Sequence, residues 1–328
     1  MEPNKIPTFI PVASGKGGVG KTFLTANLAI ALAQMGQKVI AVDLDLGGSN
    51  LHTYLGLGNN SPGIGDFLHR GGGLEELLVP TSWEHLRFLP GDGRTPFLAN
   101  LPHAQKQKLL LNLTRLQADY VLLDLGAGSS YNTLDYFGMS PNGLIITVPE
   151  YATLMNMMTF LKNFAFRTVE RALPPKSFLR QQVQRMLQNQ DPEKPLTMDE
   201  LMEVISKDSP ELGEGIGKRW LGYRPRIVFN RGQGPEDLGT LEQIQTSLEQ
   251  SLKLRVDFFG FVFADGLASE LTRQRQTLMG SAPDSTLADD VNRLADRILR
   301  LWEQPIRNSA PLLRNNTEAI IQERQAAE

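Results

Sequence analysis

The octapeptide Gly15-Lys16-Gly17-Gly18-Val19-Gly20-Lys21-Thr22 constrains this chain more than any other stretch. It joins an apolar, strand-like run, Thr8 to Ala13, to a helical one, Phe23 to Gln34, that carries Leu24, Leu28 and Leu32 on one face. Glycines at such a junction let successive backbone N–H groups turn inward, and the helix adds the positive end of its dipole. That cradle suits a polyphosphate. Lys21 stands where it neutralises the outer phosphates, and the Thr22 hydroxyl stands where it holds a Mg²⁺ ion. An ordinary loop of this kind has no need of a second lysine after its first glycine, which sets Lys16 apart.

Two further segments supply carboxylates at the ends of predicted strands. Residues 38–42 form a β-branched apolar run that delivers Asp43-Leu44-Asp45-Leu46-Gly47. Residues 119–123 form another, ending in Asp124-Leu125-Gly126-Ala127-Gly128. In an open α/β sheet that edge is where ligands bind. A carboxylate at Asp124 can hold Mg²⁺ through water, and the glycines let its loop follow a γ-phosphate.

The absence of cysteine excludes disulfides, thiolate zinc sites, iron–sulfur clusters and cysteine nucleophiles together. A net charge of −3 gives no global reason to bind nucleic acid or a membrane. With 41% hydrophobic residues and no run able to span a bilayer, the expectation is a cytoplasmic globular protein.

GKGGVGKT, the DLDLG at 43–47 and the DLGAG at 124–128 together resemble the MinD/ParA group of deviant-phosphate-loop ATPases. The second switch, DxGAG rather than DxPAG, is similar to the flagellar-number regulators FlhG and FleN. The resemblance covers residues 8–171 and 225–303. It implies a doubly wound, mostly parallel α/β sheet that binds ATP with Mg²⁺ through Gly15 to Thr22 and Phe23. In the group, the lysine matching Lys16 reaches across a dimer to the partner's ATP, so ATP binding implies a homodimer. By the same likeness Asp45 positions the attacking water or the Mg²⁺ shell, Asp43 supports the metal site, and Asn230-Arg231 meets the adenine. Lys16, Lys21, Asp45 and Asp124 would then carry a slow hydrolysis. A spatial or numerical regulator of a cellular structure is the role implied. A partition ATPase coating DNA nonspecifically, and an adaptor with a structural nucleotide, are the alternatives.

Four features depart from that pattern. Residues 172–224 read as an inserted helical hairpin whose second helix opens with a capping box at Thr197-Met198-Asp199-Glu200; it is too small for a core of its own unless it packs on the main domain or docks a protein partner. Phe263 stands where relatives carry proline, which implies a rebuilt base-side wall. Pro11 lies inside the first strand, where a bulge or a lost bond is expected. The tail, 304–328, lacks a basic apolar face and is expected to be flexible, without a membrane-targeting role. An arginine group at 273, 275, 293, 297 and 300 is the surface a DNA-binding alternative would need.

Overall fold

The computed structural model describes residues 6–91, 101–191 and 193–327; Pro192, within the polar linker, lies outside them. One sheet is built from β1 (Thr8–Ala13), β2 (Val39–Leu44), β3 (Val79–Pro80), β4 (Leu86–Leu89), β5 (Tyr120–Leu125), β6 (Leu144–Thr147), β7 (Arg226–Gly232) and β8 (Asp257–Phe263). Across the sheet the order is β3-β4-β2-β5-β1-β6-β7-β8. All neighbours are parallel except the short pair β3 and β4. The central strands are buried on both faces, which explains why they read as unbroken apolar runs. Elements following β1 wind to either side of it, so its carboxyl end is the switch point where this architecture leaves a crevice. The expected doubly wound α/β fold is the one found.

Helices cover both faces: α1 (Lys21–Gln34), α2 (Leu51–Tyr54), α3 (Ile64–Arg70), α4 (His103–Leu113), α5 (Tyr131–Phe137), α6 (Tyr151–Ala172), α7 (Phe178–Gln188), α8 (Met198–Asp208), α9 (Pro210–Leu221), α10 (Leu241–Leu252), α11 (Gly266–Gln274), α12 (Leu278–Ser281), α13 (Thr286–Leu301) and α14 (Ser309–Ala327). Helix α1 is enclosed on nearly every side, with Leu24, Leu28 and Leu32 fully buried in the core that the sheet shares with α13. Pro11 causes no bulge. The register of β1 against β5 runs unbroken from Thr8 to Val12, and pairing with β6 begins only at Val12.

Two expectations are corrected. The stretch 172–224 is three helices, α7, α8 and α9, rather than a two-helix hairpin, and as expected these have no core of their own. Val183, Leu201, Ile205, Ile216 and Trp220 join the same apolar cluster as Phe160 and Phe164 of α6. The capping box is present, with Thr197 accepting from the Glu200 N–H and the Glu200 carboxylate accepting from the Thr197 N–H. The second correction concerns the tail. Instead of a flexible end, Ser309–Ala327 is a helix that covers the edge strand β8. An uncovered edge leaves unpaired backbone groups. Here the Phe258 N–H donates to the Ser309 Oγ at 3.1 Å, while Ala310, Leu313 and Thr317 form a buried stripe at helical spacing.

Candidate nucleotide site

Strand register assembles the site. Val12 on β1 pairs with Asp124 on β5, and Asp124 pairs with Asp43 on β2, so both carboxylates stand side by side at the sheet's carboxyl edge. Residues 14–20 leave β1 there and turn into α1. Gly20 caps the helix at φ +88°, and a Cβ at that position would lie 2.3 Å from the Asn230 Nδ2. Gly15 packs against α6, where an added Cβ would meet the Asn156 carbonyl oxygen at 2.3 Å. Neither position tolerates another side chain without moving its neighbour.

Lys21 and Asp124 are nearly inaccessible to solvent, and the Lys21 Nζ donates to the Asp124 Oδ1 at 2.7 Å. The Thr25 hydroxyl donates to the same oxygen at 3.1 Å. The other oxygen, Oδ2, is buried with no hydrogen-bond partner. An orphaned carboxylate oxygen in a dry site is costly unless a cation or a water reaches it. With the Thr22 hydroxyl on the adjacent turn, it is the donor set that a hydrated Mg²⁺ takes. The residues present therefore fit the metal.

Asp43 is fully enclosed. Its Oδ1 accepts from the Asp45 N–H at 3.1 Å, and its Oδ2 accepts from the Ser49 hydroxyl at 2.7 Å and the Leu51 N–H at 3.0 Å. It thus ties down the loop after β2. Burial, and secondarily the neighbouring Asp124, push its carboxyl up from near 3.8 to about 7, against the pull of Ser49, Leu51 and Lys21. Between those two values the folded chain holds a proton that the unfolded chain has lost. Stability from this group is therefore present at low pH and declines as pH rises from about 4 to about 7. Urea unfolding of the nucleotide-free protein should show this decline in wild type and a shallower one in Asp43→Asn. Parallel slopes would contradict it.

Asp45 is half-buried and leans on the loop after β5, where a Cβ added to Gly126 would sit 3.4 Å from its Oδ1. That loop docks back on the first strand through the Gly128 N–H, which donates to the Ser14 carbonyl at 2.9 Å. Lys16 and Gly17 are exposed, and Lys16 has no hydrogen-bond or ion-pair partner among the described residues. It shares a shallow cleft with Glu150 and Asp237.

A second cleft, of about 780 Å³, opens beside Gly18, Gly20 and Phe23 and runs outward past Tyr54, Asn230, Arg231, Phe263 and Leu287. Phe263, where the family pattern carries proline, lines this cleft. Asn230 is committed in a way the sequence did not show: its Nδ2 donates to the Val19 carbonyl at 2.7 Å and holds the phosphate loop's backbone. Arg231 stands exposed at φ +58°, between the two clefts. Within the arginine group, Arg273 and Arg275 are exposed, while the other three have partners. Arg293 pairs with Asp290 and Glu323, Arg300 pairs with Asp296, and Arg297 lies over the Phe259 ring.

A glycine cradle at a switch point, a lysine and a threonine at the head of the next helix, and paired strand-end carboxylates define a phosphate-loop nucleotide-binding protein. The CobQ/CobB/MinD/ParA nucleotide binding domain matches residues 10–278, and the chain belongs to that family. The septum site-determining protein MinD of Helicobacter pylori is 35% identical over 147 residues, 44% of this chain and 54% of that protein. The chain spans about half the length of the curated relatives it matches. Among solved structures, MinD of Pyrococcus horikoshii complexed with Mg-ADP superposes with a TM-score of 0.55 at 20% identity, over 92% of this chain and 100% of that one. The MinC:MinD cell division protein complex of Aquifex aeolicus gives 0.59 at 21%, over 92% and 99%. Those identities speak to the fold.

Proposed function

We propose that the protein is a Mg²⁺-dependent ATP switch that hydrolyses slowly and dimerises when ATP is bound. The observation that carries this reading is the pair of lysines. Lys21 is buried against Asp124, inside its own subunit's site, whereas Lys16, five residues earlier, is exposed and without a partner among the described residues. A lysine of the first kind serves the phosphates held by its own chain, and one of the second kind is available to another copy's. Entry of a triphosphate draws Lys21 from Asp124 onto the phosphates, and the backbone N–H groups of residues 15–22 receive the remaining charge. The Thr22 hydroxyl and Asp124, the latter through water, would hold Mg²⁺, which would supply charge that neutralises the phosphates. Asp45, beside Gly126, is placed to orient the attacking water. Asp43 supports the metal site by fixing the loop that carries Asp45. The Asn230 amide holds the cradle, and Arg231 borders the base-side cleft.

The named relatives are septum-site and cell-division proteins. Together with the DxGAG second switch, this supports a regulator of the place or number of a cellular structure, working through a protein partner. Light scattering tests the core of the reading: mass should double with Mg²⁺ and ATP, and remain that of one chain with ADP. A single mass under both conditions would sink the dimer switch and favour the adaptor alternative.

A further inference from the structure

Through its last turn, helix α14 touches Phe263, a residue that lines the base-side cleft. The Arg324 Nη2 donates to the Asp290 Oδ1 at 2.6 Å and to the Thr286 carbonyl at 3.0 Å, both on α13. The same guanidinium lies 4.4 Å from the centre of the Phe263 ring. Asp290 is buried, and its other oxygen accepts from the Phe263 backbone N–H at 3.1 Å. Phe263 and Leu287 also line the cleft. One guanidinium thus fixes the aromatic side chain and, through Asp290, the backbone of the residue that walls the cleft.

We propose that Arg324 is a positioning residue for nucleotide binding, so that docking of α14 and affinity for the nucleotide are coupled. This rests on the reading that the cleft beside Gly18 and Gly20 takes a nucleotide with its base toward Phe263. A planar aromatic side chain held in place by a cation is suited to stacking a base. Released from Arg324, the Phe263 ring loses its cation but keeps its edge contact with Phe261, and Asp290 is left buried with a weaker partner set. A helix and a ligand that both contact Phe263 then strengthen each other, and the coupling is reciprocal.

The bland account is that Arg324 only neutralises a buried carboxylate. The two accounts separate in affinity measured against a second anchor. Arg314, nearer the start of α14, donates to the Leu238 carbonyl and to Glu242, and it does not border the cleft. In titrations with Mg²⁺ and ADP, Arg324→Ala should weaken binding about fivefold or more. Arg324→Lys should recover part of the loss, and Arg314→Ala should bind like wild type. Hydrogen exchange on wild type gives a readout that needs no variant to fold: ADP should slow exchange in the last turns of α14. Equal losses in the Arg324 and Arg314 variants would overturn the proposal, because α14 would then act only through general docking. So would an Arg324→Ala protein that binds like wild type, or exchange in α14 that is indifferent to ADP. Failure of wild type to bind any adenine nucleotide would overturn the nucleotide reading itself, and this inference with it.

Discussion

Lys16→Ala should lower ATP hydrolysis by about 10²- to 10³-fold while leaving nucleotide binding nearly intact. Lys16 is exposed and without a partner among the described residues, so its removal costs the fold nothing that the structure shows. Any effect on binding within its own subunit should stay below about fivefold, since an exposed charge contributes under ~1 kcal/mol. Hydrolysis is different. A cation delivered to the developing charge in a water-poor interface contributes far more than it does in solvent, and loss of one such group lowers turnover by about 10²- to 10³-fold. Equilibrium titration with Mg²⁺ and ATP, together with phosphate release at saturating ATP, measures both quantities. The informative control is Lys21→Ala. It removes the buried partner of Asp124, leaving that carboxylate without its cation, and should weaken binding and hydrolysis together. If Lys16→Ala hydrolyses at the wild-type rate, Lys16 is a surface lysine and catalysis is complete within one subunit. If it fails to bind ATP, Lys16 works in its own site and the division of labour between the two lysines is wrong.

The glycine turn, with a lysine and a threonine at a helix start, was legible in the sequence because it is local, whereas the meeting of Lys21, Asp124 and Asp43 depends on strand register. The central strands were legible for a related reason: burial on both faces makes runs such as Val121-Leu122-Leu123 unbroken, and a periodicity reading finds them directly. What stayed hidden was long-range. Nothing near Asn230 announces that its amide holds Val19, and nothing near Arg324 announces Asp290 and Phe263. The tail misled for the same reason. Its Ala310, Leu313 and Thr317 are small or isolated, and their stripe acquires meaning only beside the edge strand that it covers. Phe263 was noticed as a departure, but the helix that touches it lies in a segment the sequence marked as loose.

Trp220→Ala should produce a larger stability loss than any surface change in residues 172–224, about 3–5 kcal/mol, as expected for a large buried aromatic side chain. Trp220 is almost fully buried, and its indole N–H donates to the Leu252 carbonyl of α10 at 2.7 Å. Its ring packs on Phe164 of α6 and on Tyr223, with centroids 5.8 and 5.6 Å away. Truncation therefore opens a cavity and orphans a buried carbonyl at the same place. Phe178, on the same segment but 72% exposed, supplies the contrast. Phe178→Ala should change stability by no more than about 0.5 kcal/mol. The comparison settles how residues 172–224 relate to the body. Were they a detachable docking module, losing Trp220 would leave the main unfolding transition in place and melt only the segment. The shared core argues for one cooperative transition moved as a whole, read by urea unfolding with two probes, tryptophan fluorescence and far-ultraviolet dichroism. It also decides how partner docking should be sought. Deleting the segment would strip the apolar face of α6 and confound loss of a partner with loss of the fold. Exposed residues such as Phe178 can be changed one at a time, with Mg²⁺-ATP binding as the check that the nucleotide site survives.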